Sequence, residues 1–324
     1  LMIAQDDPPP LRVLVLNYNG QDLLAECLPS ILAAAESYPG PARVTVIDNG
    51  STDASLDVLQ RFPEVEVIEC PNRGLASFND VLAAPQAVEP IAVLLNNDVK
   101  LDPNSLAPLV EALRHDHDAL FSAPLCWDFD GATYEGMRTR VRFRFGLVQG
   151  LCRVPGHERT LNRAGLTASA GPALAVNRRA FLELGGYDPL YFPGRIEDLD
   201  LGFRAWMAGR IGRYVPESVA YHRGFGSFGP RYGGFGCDRL AVRNTLLFSW
   251  KNLSGRRLAI HLAWLPARVV AALVRGRWAF LAGLAEAALR IGPTMAARTR
   301  QRTGAPGWLD RQEAFFQRFA FSAD

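Results

Sequence analysis

The chain is short of cysteine and of long apolar runs, and each shortage excludes a class of protein. Its 324 residues include five cysteines, Cys27, Cys70, Cys126, Cys152 and Cys237. They are odd in number, scattered and never in a Cys-x-x-Cys pair. That pattern argues against a disulfide framework or a zinc site and predicts a reducing compartment. The opening residues, LMIAQDDPPP, hold no basic segment followed by an apolar stretch, so no secretory signal is expected. No uninterrupted run of 18 uncharged apolar residues occurs, which argues against a spanning helix. No internal repeat is visible. NYNGQD after the first apolar run is not the G-x-G-x-x-G of a dinucleotide-dependent oxidoreductase, nor the glycine-rich basic loop of a nucleotidyltransferase.

What is present is an ordinary globular composition, 48% hydrophobic and 21% charged. The net charge of +2 conceals an asymmetry. From Lys251 onward there are 12 Lys and Arg against 4 Asp and Glu, a net of +8, so the first 250 residues carry −6. A basic tail on a mildly acidic body suits an anionic surface, membrane or nucleic acid. The arginines have few aromatics between them, so no nucleic-acid partner is expected. The expected location is cytoplasmic, peripheral on the inner face of a membrane.

Short apolar runs rich in β-branched residues alternate with helical segments. Residues 12–18, 43–48, 65–70 and 91–97 read as buried strands; 21–37, 52–62, 74–84 and 103–115 read as the helices between them. Continuous apolar strands alternating with helices predict an α/β fold with a largely parallel sheet. Ligands of such sheets sit beyond the carboxyl ends of the strands. The polar residues there are Asn17, Asn19, Asp48, Asn72 and Asp98. The stretch 122–165 reads as irregular, 197–209 as a helix and 213–222 as a last strand. The glycine-rich 224–236 reads as a loop. A tail (1–10), a main domain (11–249) and a basic helical region (250–324) are expected.

Seven motifs occur in a fixed order: NYN (17–19), DNGSTD (48–53), NRG (72–74), NND (96–98), GGYD (185–188), EDLDLGFR (197–204) and YHRG (221–224). Together they resemble the family-2 inverting glycosyltransferases with the GT-A fold, and among them the bacterial rhamnosyltransferase subgroup. The resemblance covers about residues 11–245.

That resemblance implies a role for each matching position. Asp48 would accept a hydrogen bond from the pyrimidine N–H of a nucleotide, a fit for a group that only accepts; capping the next turn through Ser51 is its other use. Asn17, Asn19, Asn72, Gly74, Asn96 and Asn97 would be further nucleotide contacts, the glycine letting the backbone approach closely. Asp98 would bind Mg²⁺ or Mn²⁺ at the diphosphate, with His222 as a second ligand. The family usually has Asp-x-Asp there; Asn96 removes one charge. Asp198 would be the base that deprotonates the acceptor hydroxyl. Gly171, Tyr191, Phe192, Glu197 and Arg204 would flank the acceptor, although core packing suits Tyr191 and Phe192 equally. Arg223 and Arg231 would reach the diphosphate from a closing loop. The donor implied is a nucleoside-diphosphate sugar, dTDP-rhamnose before UDP-sugars, and the acceptor a glycan or lipid-linked hydroxyl. A catalytically silent sugar-nucleotide-binding protein is the alternative.

In the region 256–290, Arg257, His261, Arg268 and Arg275 fall on one stripe of a helix, with Leu258, Leu262, Leu265, Val269 and Leu273 over much of the rest. This is the pattern of a helix lying in a membrane interface. A helical appendage, on its own domain or joining two copies of the chain, fits it too. VRGRW (274–278) resembles the signature of processive synthases but has Val274 at its first position, so processivity is not expected.

Overall fold

The structure, a computed structural model, describes residues 7–224, 228–303 and 307–321. Residues 1–6 of the expected tail and 225–227 of the expected loop lie outside the described residues. Leu11–Asn17 forms β1, Ala42–Asp48 β2, Glu66–Glu69 β3 and Ile91–Asn96 β4. Between them run helices Gln21–Ser37 (α1), Ser55–Leu59 (α2) and Ala76–Ala83 (α3). β1 and β4 are buried along nearly their whole length. Strands covered on both faces have no solvent side toward which to alternate, hence their unbroken apolar runs. They pair in parallel in the order β3-β2-β1-β4. The register sets Asn17 opposite Asp48 and Leu16 opposite Asn96, so β1, β2 and β4 end level with one another. The chain leaves β1 for β2 on one side while β4 flanks the other, and ligands bind at such a switch point.

Past β4 the sheet is mixed. Val99–Leu101 (β5) and Leu106–Arg114 (α4) lead into Ala119–Trp127 (β6). β6 corrects the irregular reading from residue 122, since all but its last residue is buried. Pro124 hides it in the sequence. The proline is tolerated because the ladder to the last strand shifts register beside it, between Val215 and Val219. Tyr134–Gly136 (β7), Arg140–Arg144 (β8), Leu147–Leu151 (β9) and Gly165–Leu166 (β10) follow. Ala173–Asn177 (β11) lies antiparallel between β4 and β6. Arg178–Glu183 (α5) and Glu197–Met207 (α6) precede Ile211–His222 (β12), which pairs with β6, β5 and β10.

The rest is helical: Phe228–Asn252 (α7), Gly255–Val274 (α8), Trp278–Leu289 (α9), Ile291–Arg302 (α10) and Trp308–Arg318 (α11). Most of the glycine-rich segment expected as a loop is therefore the start of α7, which kinks at Gly233 (φ 60°). The expected domain boundary after residue 249 falls inside this helix. A second apolar core, separate from that under the sheet, joins α6, α7 and α11. Phe203 of α6 stands edge-on to Phe248 of α7 (5.6 Å) and to Phe315 of α11 (5.0 Å).

A buried ion cluster ties α6 to the end of α7. Asp200 accepts from Lys251 Nζ (2.8 and 2.9 Å), Arg204 Nε (2.6 Å), Tyr191 Oη (2.8 Å) and Asn252 Nδ2 (2.8 Å). Lys251 also donates to Asp188 Oδ2 at 2.6 Å. Burial alone would raise the Asp200 pKa; the Lys251 and Arg204 charges outweigh it and hold the carboxyl well below the ordinary range. Removing one partner of a buried ion cluster leaves a charge without compensation. Lys251→Met is expected to lower unfolding free energy by about 3 kcal/mol, read from urea denaturation.

α8 turns its basic stripe, not its apolar face, toward the body of the protein. His261, on the basic stripe, is buried: Nδ1–H donates to Gly146 O (2.6 Å) and Nε2 accepts from Trp250 Nε1 (3.0 Å). Arg257 makes a bidentate pair with Glu313 (2.8 and 2.7 Å), and Arg268 Nε donates to Phe145 O (3.0 Å). Three of the stripe's four members thus face the protein. The β8–β9 hairpin turns at Phe145 and Gly146, both at positive φ, and a Cβ on Gly146 would meet His261 Cα at 2.8 Å. By length and composition α8 satisfies the requirement for crossing a membrane, against the expectation drawn from uncharged runs. Arg268 is the only charged residue between Leu258 and Val274, apart from any charge on His261.

Candidate active site

A cleft of about 820 Å³ opens over the carboxyl ends of β1 and β4. Tyr18 and Asn19 line it after β1, Asn49 after β2, Asn72 and Gly74 after β3, and Asn96, Asn97 and Asp98 after β4. Glu197 and Asp198 enter from the start of α6, His222 from the end of β12, and Arg231 and Tyr232 from α7. Most of the predicted site residues therefore share one space.

Asn17 and Asp48 do not line it. Both are buried, and their polar atoms bond within the chain. Asn97 Nδ2 donates to Asn17 Oδ1 (2.8 Å), and Asn17 Nδ2 donates to Asp48 Oδ1 (2.9 Å). Asp48 also accepts from Ser51 Oγ (2.6 Å) and Ser51 N (2.9 Å). This corrects the expected direct contacts: of the two uses foreseen for Asp48 the geometry gives the turn cap, and Asn17 underpins Asn97. Asn49, one residue on, borders the cleft but is equally buried: its Oδ1 accepts from Ser77 Oγ (2.6 Å) and its Nδ2 donates to Gly74 O (3.3 Å). At the rim Asn72 Oδ1 accepts from Gly74 N (3.1 Å), and Gly74 takes a φ of 58° that only glycine adopts without strain.

Asp98 and His222 meet because β5 and β12 pair antiparallel, with Val99 opposite His222. The Arg223 N–H donates to Asp98 O (3.1 Å) and closes that end. His222 Nε2 lies 3.5 Å from Asp98 Oδ1, and His222 Nδ1 lies 4.0 Å from Glu135 Oε2. Asp98 Oδ1 is buried yet accepts no hydrogen bond. A buried carboxylate oxygen without a donor, facing an imidazole nitrogen, fits a divalent cation between them. Among the described residues no three His, Cys, Asp or Glu side chains gather into a cage.

Glu197 and Asp198 begin α6, so each aims differently although they adjoin. Glu197 Oε2 and Asp198 Oδ1 are buried without hydrogen-bond partners. Desolvation, then the neighbouring Glu197 charge, pushes the Asp198 carboxyl well above the ordinary aspartate range; desolvation also raises Glu197. The turn before them is strained, with Arg195 at φ 80° and Ile196 at φ 75°, the latter a β-branched residue in the left-handed region. Asn244 of α7 holds it. Its Nδ2 donates to Tyr191 O (2.7 Å), Gly194 O (2.6 Å) and Arg195 O (2.9 Å), while Arg243 Nη2 donates to Phe192 O (2.6 Å).

Several expected acceptor and phosphate contacts fall elsewhere. Tyr191 and Arg204 are buried in the Asp200 cluster, and Arg204 also donates to Leu184 O and Gly186 O. Phe192 packs outside the cleft beside Gly74, and Gly171 sits behind Pro172 against Met137. Arg223 turns outward to Glu26 (3.0 Å). Arg231 does line the cleft, over the Tyr18 ring at 4.3 Å, but from a helix rather than a loop. The sequence reading omits Tyr18, Asn49, Glu135 and Asn244. Tyr18 and Asn49 stand inside quoted motifs; Glu135 and Asn244 carry no local signal.

The Glycosyl transferase family 2 profile matches residues 12–185. The chain belongs to glycosyltransferase family 2. Over 240 residues this glycosyltransferase is 28% identical to the N-acetylglucosaminyl-diphospho-decaprenol L-rhamnosyltransferase of Mycobacterium tuberculosis, covering 65% of this chain and 75% of that one. The structure of Staphylococcus aureus TarS 1–349 in complex with UDP-GlcNAc matches 95% of this chain and 90% of its own, at a TM-score of 0.54 and 15% identity. GalNAc-T7, solved with UDP, GalNAc and Mn²⁺, matches 67% of this glycosyltransferase at a TM-score of 0.53 and 21% identity. The chain spans 44% of that protein's length. These likenesses establish the GT-A fold, a mixed α/β sandwich followed by C-terminal helices.

Proposed function

We propose that this glycosyltransferase moves a sugar from a nucleoside-diphosphate donor to an acceptor hydroxyl in a single displacement that inverts the anomeric carbon. The observation that carries the reading is the meeting of Asp98, His222 and Asp198, from three separate elements, around one cleft. Asp198 takes the acceptor proton as the acceptor oxygen bonds to the anomeric carbon, and the bond to the diphosphate breaks with its electron pair leaving on the diphosphate oxygen. Asp98 and His222 would hold Mg²⁺ or Mn²⁺, which supplies charge neutralisation at the leaving diphosphate. Glu135 faces the far nitrogen of His222, the arrangement in which a carboxylate orients a ligating imidazole. Asn19, Asn72 and the Asn96–Asn97 pair offer the nucleotide amide donors and acceptors, and Arg231 approaches from α7.

The mycobacterial relative, named for rhamnosyl transfer to a diphospho-decaprenol-linked sugar, supports rhamnose as the sugar, with dTDP-rhamnose the donor implied by the motifs, and a lipid-linked glycan as acceptor; UDP in the solved neighbours keeps UDP-sugars next. A lipid-linked acceptor would put the work at a membrane, with the enzyme peripheral on the cytoplasmic side. The silent-binder alternative rests on Asn96; the unpartnered oxygens of Asp98 and Asp198 favour chemistry.

A thermal-shift panel of nucleoside diphosphates and their sugars, with Mg²⁺ or Mn²⁺, tests the reading. A ligand at a hundred times its Kd contributes about 2.7 kcal/mol, worth several degrees in Tm. The expected result is a metal-dependent shift for thymidine or uridine compounds. No shift with any base rejects the donor assignment.

A further inference from the structure

We propose that the outer face of α8 docks on an anionic lipid surface. This deepens the membrane location suggested above but does not need the donor or acceptor assignment. The inward turn of Arg257, His261 and Arg268 leaves the opposite face of α8 without charge. Val270 is 60% exposed, Leu273 54% and Val274 81%, with Leu262 and Trp264 also exposed. Leu262, Val270, Leu273 and Val274 share the face turned away from the body, and Trp278 (62%) and Phe145 (51%) are exposed beside the helix. Phe145, at the hairpin tip, lies 5.1 Å from Trp264 and extends the patch sideways.

The charges at its two ends select the occupant. Arg256 stands exposed at the start of α8, and Arg275 and Arg277 stand exposed just beyond its end. An uncharged face bounded by arginines, with Trp278 near one boundary, matches a bilayer interface: acyl chains meet the apolar side chains and lipid phosphates meet the guanidinium groups. The helix lies on the surface rather than through it, because its other face is bonded to Gly146, Phe145 and Glu313.

The test is sedimentation of the full chain with phosphatidylglycerol-containing vesicles and with purely zwitterionic vesicles, at low and high salt. The wild type is expected to bind the anionic vesicles and to release them as salt rises. Arg275→Glu with Arg277→Glu should weaken binding by at least about fivefold per arginine. Val270→Asp with Val274→Asp should weaken it about a hundredfold. Both positions are exposed, so melting temperature should stay near wild type, which separates loss of docking from misfolding. No vesicle binding, or equal binding to zwitterionic vesicles, overturns the proposal. So does a wild-type dimer in light scattering that the valine variant dissociates while neither protein binds lipid, since the face then belongs to a second copy of the chain.

Discussion

Asp198→Asn is expected to lower transfer by roughly 10²–10⁴-fold while nucleoside diphosphate still binds. The amide keeps the size of the side chain and its place at the start of α6 but does not accept a proton. Asp198 Oδ1 makes no hydrogen bond to the donor-facing asparagines, so calorimetry with the nucleotide should give a Kd near that of the wild type. A mutant with full activity would remove Asp198 from its role. The raised pKa adds a signature that a merely structural carboxylate lacks. The base works only when ionised, so kcat/KM should fall as pH falls through the Asp198 value. That acid limb should lie above the ordinary aspartate value of about 3.9. Part of the elevation comes from the charge of Glu197, so Glu197→Gln should move the limb to lower pH. A limb that stays in place would assign it to another group.

Asp98→Ala is expected to abolish the metal dependence of nucleotide binding. With Mn²⁺ present, affinity for the nucleoside diphosphate should fall at least about tenfold, roughly 1.4 kcal/mol. Titrations with and without the ion should then coincide. The reason is local: Asp98 supplies the only carboxylate at the end of β4, since Asn96 stands where the family usually has a second one. His222 alone does not replace the carboxylate that faces the ion. An unchanged difference between the two titrations would show that the ion is held elsewhere.

The parallel half of the sheet and its row of polar ends are legible because both signals are local. A strand such as Ile91–Asn96 is apolar throughout, and the residues that follow it are obliged to emerge at the switch point. Contacts set by distant partners are not legible. EDLDLGFR holds three carboxylates within four residues; Asp198 faces the cleft and Asp200 faces Lys251, with no difference in local pattern. Tyr191 and Arg204 follow Asp200 inward for the same reason. The periodicity of α8 shows two unlike faces but not which one the body takes, a choice made by Gly146, Phe145 and Glu313. Pro124 conceals β6, and the glycines of 233–236 conceal the early turns of α7, where tertiary packing overrides weak helix propensity.

Asn244 reaches across from α7 to three carbonyls of the segment that leads into Asp198. The aim of the base is thus governed from a helix some fifty positions downstream, by a residue that meets neither sugar nor nucleotide. Substitution of Asn244 would release those three carbonyls and so re-angle the carboxylate, without touching Asn19, Asn72 or Asn96 at the other end of the cleft. The turn that carries Asp198 is therefore anchored from outside the cleft, by a side chain that is itself fully buried.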